Sequence, residues 1–227
     1  SGIIILFGNN ESPANFPANG YYPFRQDSTF LYYFGPKRDG LVGVIDVDND
    51  KELLIGNDID IDDIVWYGSV DSVHDMAEHA GVKESAPMKQ LQVICDNAMK
   101  EKRTIHFLPP YRHDTMIQIF DLLGIHPSKQ REAASVELIK AVVKMRSTKE
   151  QQEIEEIERA CAIGYKMHTT AMRVTKPGVT EKYVGGQVNG IANSYGAMVS
   201  FPTIFSQHGE IMHGNPSMAG LESGRLA

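Results

Sequence analysis

Apolar runs and polar breaks along the chain predict short strands interleaved with helices. Ile3-Ile4-Ile5-Leu6-Phe7 is an apolar, largely β-branched run stopped by Gly8-Asn9-Asn10, and reads as a buried strand. Residues 9–24, rich in Asn, Pro, Gly and aromatics, read as a loop. Thr29 to Phe34 is aromatic and apolar, ends at Gly35-Pro36, and reads as another strand. Leu41–Val47 and Glu52–Ile55 flank Asp48-Asn49-Asp50, which predicts a hairpin. Helical spacing follows near 62–67, 70–80 and 87–102. Ile105 to Leu108 reads as a short strand before Pro109-Pro110, and Asp114 to Leu123 as a helix stopped by Gly124. This alternation predicts a mixed α/β domain.

The pattern changes near Met145. Ser147-x-x-Glu150 has the form of a capping box, so a long helix over 148–175 should follow. Ile154, Ile157, Cys161, Gly164 and His168 recur every three or four residues and predict one inward stripe. Pro177-Gly178 ends that helix, a second runs from about Thr180 to Tyr195, and Met198 to Phe205 reads as extended. The domain boundary is placed at 145, giving domains 1–145 and 146–227.

Composition narrows the classes. The 227 residues carry a net charge of −7, which disfavours a nucleic-acid binder, since phosphate neutralisation needs a basic surface. No apolar run reaches the length of a membrane helix. The absence of an initiator Met and of a charged leader reads as no signal peptide, and both ends read as cuts through folded sequence. Cys95 and Cys161 form no C-x-x-C pair and are expected to pack as small apolar residues.

Several polar groups invite a chemical reading. Asp46-x-Asp48-x-Asp50 lacks the Gly and Glu of a calcium loop, with Lys51 and Asn57 at those positions, so it reads as a hairpin turn. The acidic run Asp58 to Asp63 reads as a solvated helix start. His74 and His79 are five apart, not the i, i+4 of a zinc-peptidase helix, and read as surface residues. Arg25 and Asp27 open the aromatic segment and read as a buried pair at its entrance. The richest candidate is Ser200 to Pro216, where an extended stretch reaches a Gly- and Pro-bearing loop with two histidines. There His213 is open to two readings: an exposed loop histidine, or a group that donates to an oxyanion or shuttles a proton.

Two sets of residues carry a family resemblance. Phe24-Arg25-Gln26-Asp27-Ser28-x-Phe30-x-Tyr32-Tyr33-x-x-Gly35 resembles the N-terminal domain of aminopeptidase P (Xaa-Pro aminopeptidase). The later set begins with Met145-Arg146-Ser147-x-Lys149-Glu150 and continues through Glu153-Ile154, Ile157, Ala160 and Pro177-Gly178-x-x-Glu181. It ends with Ser200-Phe201-Pro202-x-Ile204, Met212-His213-Gly214 and Gly224-x-Leu226, and resembles the opening of the pita-bread metallopeptidase domain. Together they span almost the whole chain in the family's order.

The resemblance implies a creatinase/aminopeptidase P-like N-terminal α/β domain with a mixed sheet, followed by the truncated beginning of an α+β pita-bread domain. It implies removal of the N-terminal residue before proline from a peptide, by two metal ions, commonly manganese, and an activated water. It gives His213 a catalytic role in contacting substrate and stabilising or protonating the reacting centre. It also implies a homo-oligomer and a peptide substrate with proline in second position, while the net charge and short apolar runs argue for no nucleic-acid or membrane partner, and the missing leader and scarce cysteine for a cytoplasmic site. Proline needs a dedicated site because its tertiary amide lacks an N–H and must be fitted as a ring.

One departure matters. The family's ligands are two Asp, one His and two Glu, the first Asp just beyond the Gly224-Arg225-Leu226 position. From Leu122 onward this chain contains no Asp. No metal ligand is therefore assigned here, the ligands for the two Mn ions are expected beyond Ala227, and residues 1–227 should be inactive alone. Asn215, where Tyr or Phe is usual, is closer to the prolidase or methionine-aminopeptidase variant. The alternatives are a prolidase acting on Xaa-Pro dipeptides and a non-catalytic binding or oligomerisation module on a pita-bread-like scaffold.

Overall fold

The computed structural model describes residues 1–16 and 19–226, so residues 17 and 18 of the expected 9–24 loop and Ala227 fall outside it. The chain forms two compact units, Ser1–Ser147 and Thr148–Ala227.

The first unit opens with β1 (Ile3–Phe7). Where a loop is expected, β2 (Pro13–Phe16) and β3 (Asn19–Tyr21) pair as a short antiparallel ribbon. Next comes α1 (Ser28–Phe34), a helix where the aromatic composition predicts a strand. The N-cap decides it: Asp27 Oδ1 accepts from the amides of Thr29 (2.9 Å) and Phe30 (2.8 Å). The buried rings of Phe30 and Phe34, one helical turn apart, then stack with centroids 5.5 Å apart. Gly43 admits them, since a Cβ there would collide with the Phe34 ring.

The predicted hairpin is β4 (Val42–Asp46) and β5 (Lys51–Ile55), paired antiparallel. It is followed by α2 (Ile61–Tyr67), α3 (Val73–His79), β6 (Glu84–Ala86), α4 (Lys89–Lys100) and β7 (Ile105–His106). The unit ends with α5 (His113–Leu123), α6 (Pro127–Ala133) and α7 (Val136–Ser147). Gly124 ends α5 in the left-handed conformation, as predicted.

The sheet order is β6-β5-β4-β1-β7, with β1–β7 and β5–β6 parallel and the central pairs antiparallel. Strand alternation makes two cores. Ile3, Ile5, Val42, Val44 and Ile55 face Leu91, Cys95 and Ala98 of α4 and Leu122 of α5. Leu6 and Leu54 face Phe30 and Phe34 of α1, Val73 and Ala77 of α3, and Leu138 and Val142 of α7. This is a helix–sheet–helix sandwich on a mixed sheet, the α/β architecture expected.

The second unit is smaller. α8 (Gln151–Val174) starts at a capping box formed by Glu150 and Glu153, three residues later than the expected one. Ser147 instead ends α7, its hydroxyl donating to Val143 O at 2.6 Å. α9 (Glu181–Ser194) is capped by Thr180. A chain segment then folds back on the α8–α9 turn: Gly178 N donates to Leu221 O (2.9 Å) and Leu221 N to Val179 O (2.8 Å). Residues 198–205 join no strand among the described residues. No helix among them is long and apolar enough to cross a membrane.

Candidate active-site loop

The loop Ser206–Ser217 is built around Glu181, the first residue of α9 and 1% exposed. Its Oε1 accepts from Ser206 Oγ (3.0 Å) and the Gln207 amide (2.9 Å). Its Oε2 accepts from the Ser217 hydroxyl (2.7 Å) and amide (3.0 Å). The Ser217 hydroxyl, with the Gln207 and Ser217 amides and Ser206 adding to it, holds this carboxyl down to about 2, against the opposing effect of burial. Gln207 extends the frame, donating to Gly220 O (3.0 Å) and accepting from the Glu222 amide (3.0 Å). Pro216 packs on Gly185, where a Cβ would come within 2.8 Å of its ring.

On this frame His213 is exposed and, with Phe201, Pro202, Ile204 and Asn215, lines an open pocket of ≈ 360 Å³. The wall is apolar, with one imidazole and one amide. Such a pocket suits an apolar or ring-bearing group presented beside a proton donor or acceptor. His208, the loop's other histidine, pairs with Glu210 at 3.0 Å instead.

The Arg-Gln-Asp-Ser motif of the first unit is a structural hub. Gln26 is buried, its Oε1 accepting from the amides of Asn9 (2.7 Å) and Asp27 (2.8 Å) and its Nε2 donating to Arg38 O (2.7 Å). Besides capping α1, Asp27 accepts from Tyr111 Oη at 2.9 Å. Arg112 binds Asp114, Asn10 O and Ser12 Oγ. The pair Arg25 and Asp27, expected to be buried, is not: Arg25 is exposed, and the half-buried Asp27 caps α1 and accepts from Tyr111. Its importance was legible in the motif, but the roles of Gln26 and Tyr111 were not.

The acidic runs are also structural. Arg103 binds both Asp46 and Asp48 across the hairpin, and its hydrogen bond holds the Asp46 carboxyl down to about 2. Asp60 caps α2, and Asp58 accepts from the Val73 amide at 2.7 Å. His79 is an exposed surface residue beside Asp71. Cys95 is buried as expected and burial pushes its thiol up to about 11, whereas Cys161 is exposed, because its face of α8 is uncovered in this unit. Among the described residues, no three His, Cys, Asp or Glu side chains gather where they could hold a metal ion. Glu181, the buried carboxylate, already has four donors.

Residues 1–106 match the family described as aminopeptidase P, N-terminal domain, and residues 155–227 match metallopeptidase family M24, in that order on one chain. Over both stretches the chain is similar to aminopeptidase P. The Xaa-Pro aminopeptidase of Escherichia coli K12 is 25% identical over 220 residues, covering 92% of this chain and 50% of that protein. A probable Xaa-Pro aminopeptidase of Chaetomium globosum is 28% identical over 211 residues, covering 89% of this chain and 33% of that one. The chain thus spans half or less of the length of these relatives. An Escherichia coli aminopeptidase P variant shares the fold with a TM-score of 0.79 at 21% identity, covering 98% of this chain and 53% of that one. Pseudomonas aeruginosa aminopeptidase PepP gives 0.77 at 19% identity, covering 98% and 52%. Similarity to a metallopeptidase family implies a metal, but the described residues gather no ligand set that fits one.

Proposed function

We propose that the intact protein is a metal-dependent aminopeptidase that removes the N-terminal residue preceding proline. The observation that carries this reading is the succession of an aminopeptidase P N-terminal domain and family M24 sequence on one chain, with the His213 pocket in the second part. His213 is the catalytic residue of this chain, donating to or accepting from the reacting centre. The pyrrolidine ring, with no N–H to satisfy, suits a wall of Phe201, Pro202 and Ile204. The metal ligands lie beyond Ala227, two manganese ions are the proposed cofactor, and residues 1–227 alone are inactive. The domain boundary is proposed at 145. The intact protein is proposed as a cytoplasmic homo-oligomer.

The test is hydrolysis of Xaa-Pro-containing peptides by the intact protein. Activity should vanish with a chelator and return with Mn²⁺. H213A should lower kcat/KM by about 10²–10⁴-fold, the usual contribution of a positioned acid or base. Metal-independent hydrolysis, or equal cleavage of peptides lacking proline, refutes it. Cleavage of Xaa-Pro dipeptides alone would make it a prolidase, and no hydrolysis at all a binding module.

A further inference from the structure

We propose that Glu181 is a positioning residue whose single carboxylate clasps both stems of the loop that carries His213. The inference rests on the catalytic reading of His213 given above and concerns how that residue is held.

Ser206 and Gln207 begin the loop and Ser217 closes it, and the carboxylate takes two donors from each stem, one stem on each oxygen. All four partners are donors: two backbone amides and two hydroxyls. A carboxylate is the one side chain that meets donors with acceptor lone pairs on both its terminal atoms. A glutamine would turn an NH₂ toward one stem and confront its donors. The base of the loop is further fixed by the Gly185–Pro216 contact and by the hydrogen bonds of Gln207 to Gly220 and Glu222. The tip is tied by backbone bonds, Phe205 N donating to Gly214 O (3.3 Å) and Ile211 N to His208 O (2.9 Å), and Met212 beside His213 is 82% exposed. The position of His213 is therefore set from the stems, and the stems are set by Glu181. Because α9 starts at Glu181, the loop is referenced to a rigid element rather than to solvent-exposed chain. The same four donors occupy the lone pairs a metal ion would need, so Glu181 is assigned to the loop and not to a metal.

The experiment uses E181Q, S217A, H213A and E181Q/H213A in the intact protein, with two readouts: amide hydrogen exchange and kcat/KM on an Xaa-Pro peptide. E181Q should speed exchange at Gln207 and Ser217 by about 10–100-fold, the scale of a hydrogen bond to a charged group, with β1 and β4 unchanged. S217A should give a smaller effect of the same kind, and it keeps the test open if E181Q does not fold. E181Q should lower kcat/KM, and E181Q/H213A should be no slower than H213A, since a residue that acts through His213 has nothing further to lose. Unchanged exchange over 206–217, or losses that multiply in the double variant, overturns the proposal. If H213A is as active as wild type, the catalytic reading of His213 falls. The exchange at Gln207 and Ser217 then still decides whether Glu181 is the clasp.

Discussion

Replacing Gln26 tests whether the Arg-Gln-Asp-Ser motif is a hub or a site. Gln26 and Asn9 are each 6% exposed, so water cannot replace the bonds between them. Gln26→Ala removes three hydrogen bonds, from the amides of Asn9 and Asp27 and to Arg38 O. At about 1 kcal/mol each, and with the buried Asn9 amide left without an acceptor, the first unit should lose about 3 kcal/mol. For a unit of this size that is a fall of roughly 10 °C in its unfolding temperature. Gln26→Glu is the sharper variant. It keeps the Oε1 acceptor but sets a second carboxylate oxygen against Arg38 O, where Nε2 now donates at 2.7 Å. Burial and that carbonyl raise the new carboxyl's folded pKa above its unfolded value. Its stabilising contribution is then present below the unfolded pKa and lost as pH rises through the folded one. Q26E should therefore be destabilised at pH 7 and recover toward wild type near pH 5, where the protonated acid donates to Arg38 O. Native-state amide exchange of β1 and β4 reads this unit by itself. A Q26A loss below about 1 kcal/mol, or a Q26E deficit that does not shrink on acidification, refutes the hub.

Three other outcomes are expected. The Asp46 carboxyl, held down to about 2 by Arg103, stabilises the folded state above the ordinary carboxylate range, and the gain is lost as pH falls toward 2. Arg103→Ala should thus be less stable than wild type at neutral pH, the gap closing over that acid range in a pH series of denaturant melts. In residues 1–227, a maleimide at neutral pH should label Cys161 and leave Cys95 unlabelled until the first unit unfolds, as mass spectrometry of the peptides would show. In the same chain α8 amides should exchange faster than those of β1 and β4, and slow down in the intact protein; equal protection in both units contradicts this.

The elements legible in the sequence are those whose signals are local and periodic. β1, the β4–β5 hairpin, α5 with Gly124, and α9 with Thr180 fall where spacing and caps put them. α1 does not. Its β-prone aromatics outweigh the Asp27 cap in any local scoring, yet burial of Phe30 and Phe34 over Gly43 requires a helix. α6 and α7 give little periodic signal, because their buried positions are Gln130, Leu138 and Val142 alone. In the site, His213 was visible as a histidine in a Gly-rich loop. Glu181 was visible only as part of a family pattern. Its partners lie 25 to 36 residues downstream, and no local spacing encodes that distance. Gln26 is hidden for the same reason, with partners 12 and 17 residues away on separate loops.

α8 shows a different limit. Its stripe is as periodic as any in the chain, yet none of its 24 residues is buried in this unit. Ile154 is 41% exposed, Ile157 48%, Tyr165 71% and Met172 75%. Periodicity specifies which face a helix turns inward, but not what meets that face. An isolated helix draws little stability from propensity, so a face without a partner contributes little to holding the unit together. The contrast with Glu181 is instructive. Its hydrogen bonds are all completed within residues 181–217, so the His213 loop can be formed here even while the α8 face lacks its cover. Within one unit, then, the polar frame of the candidate site is self-sufficient and its apolar packing is not. The chemistry proposed for His213 therefore depends on the intact protein less for the shape of its loop than for the packing of α8.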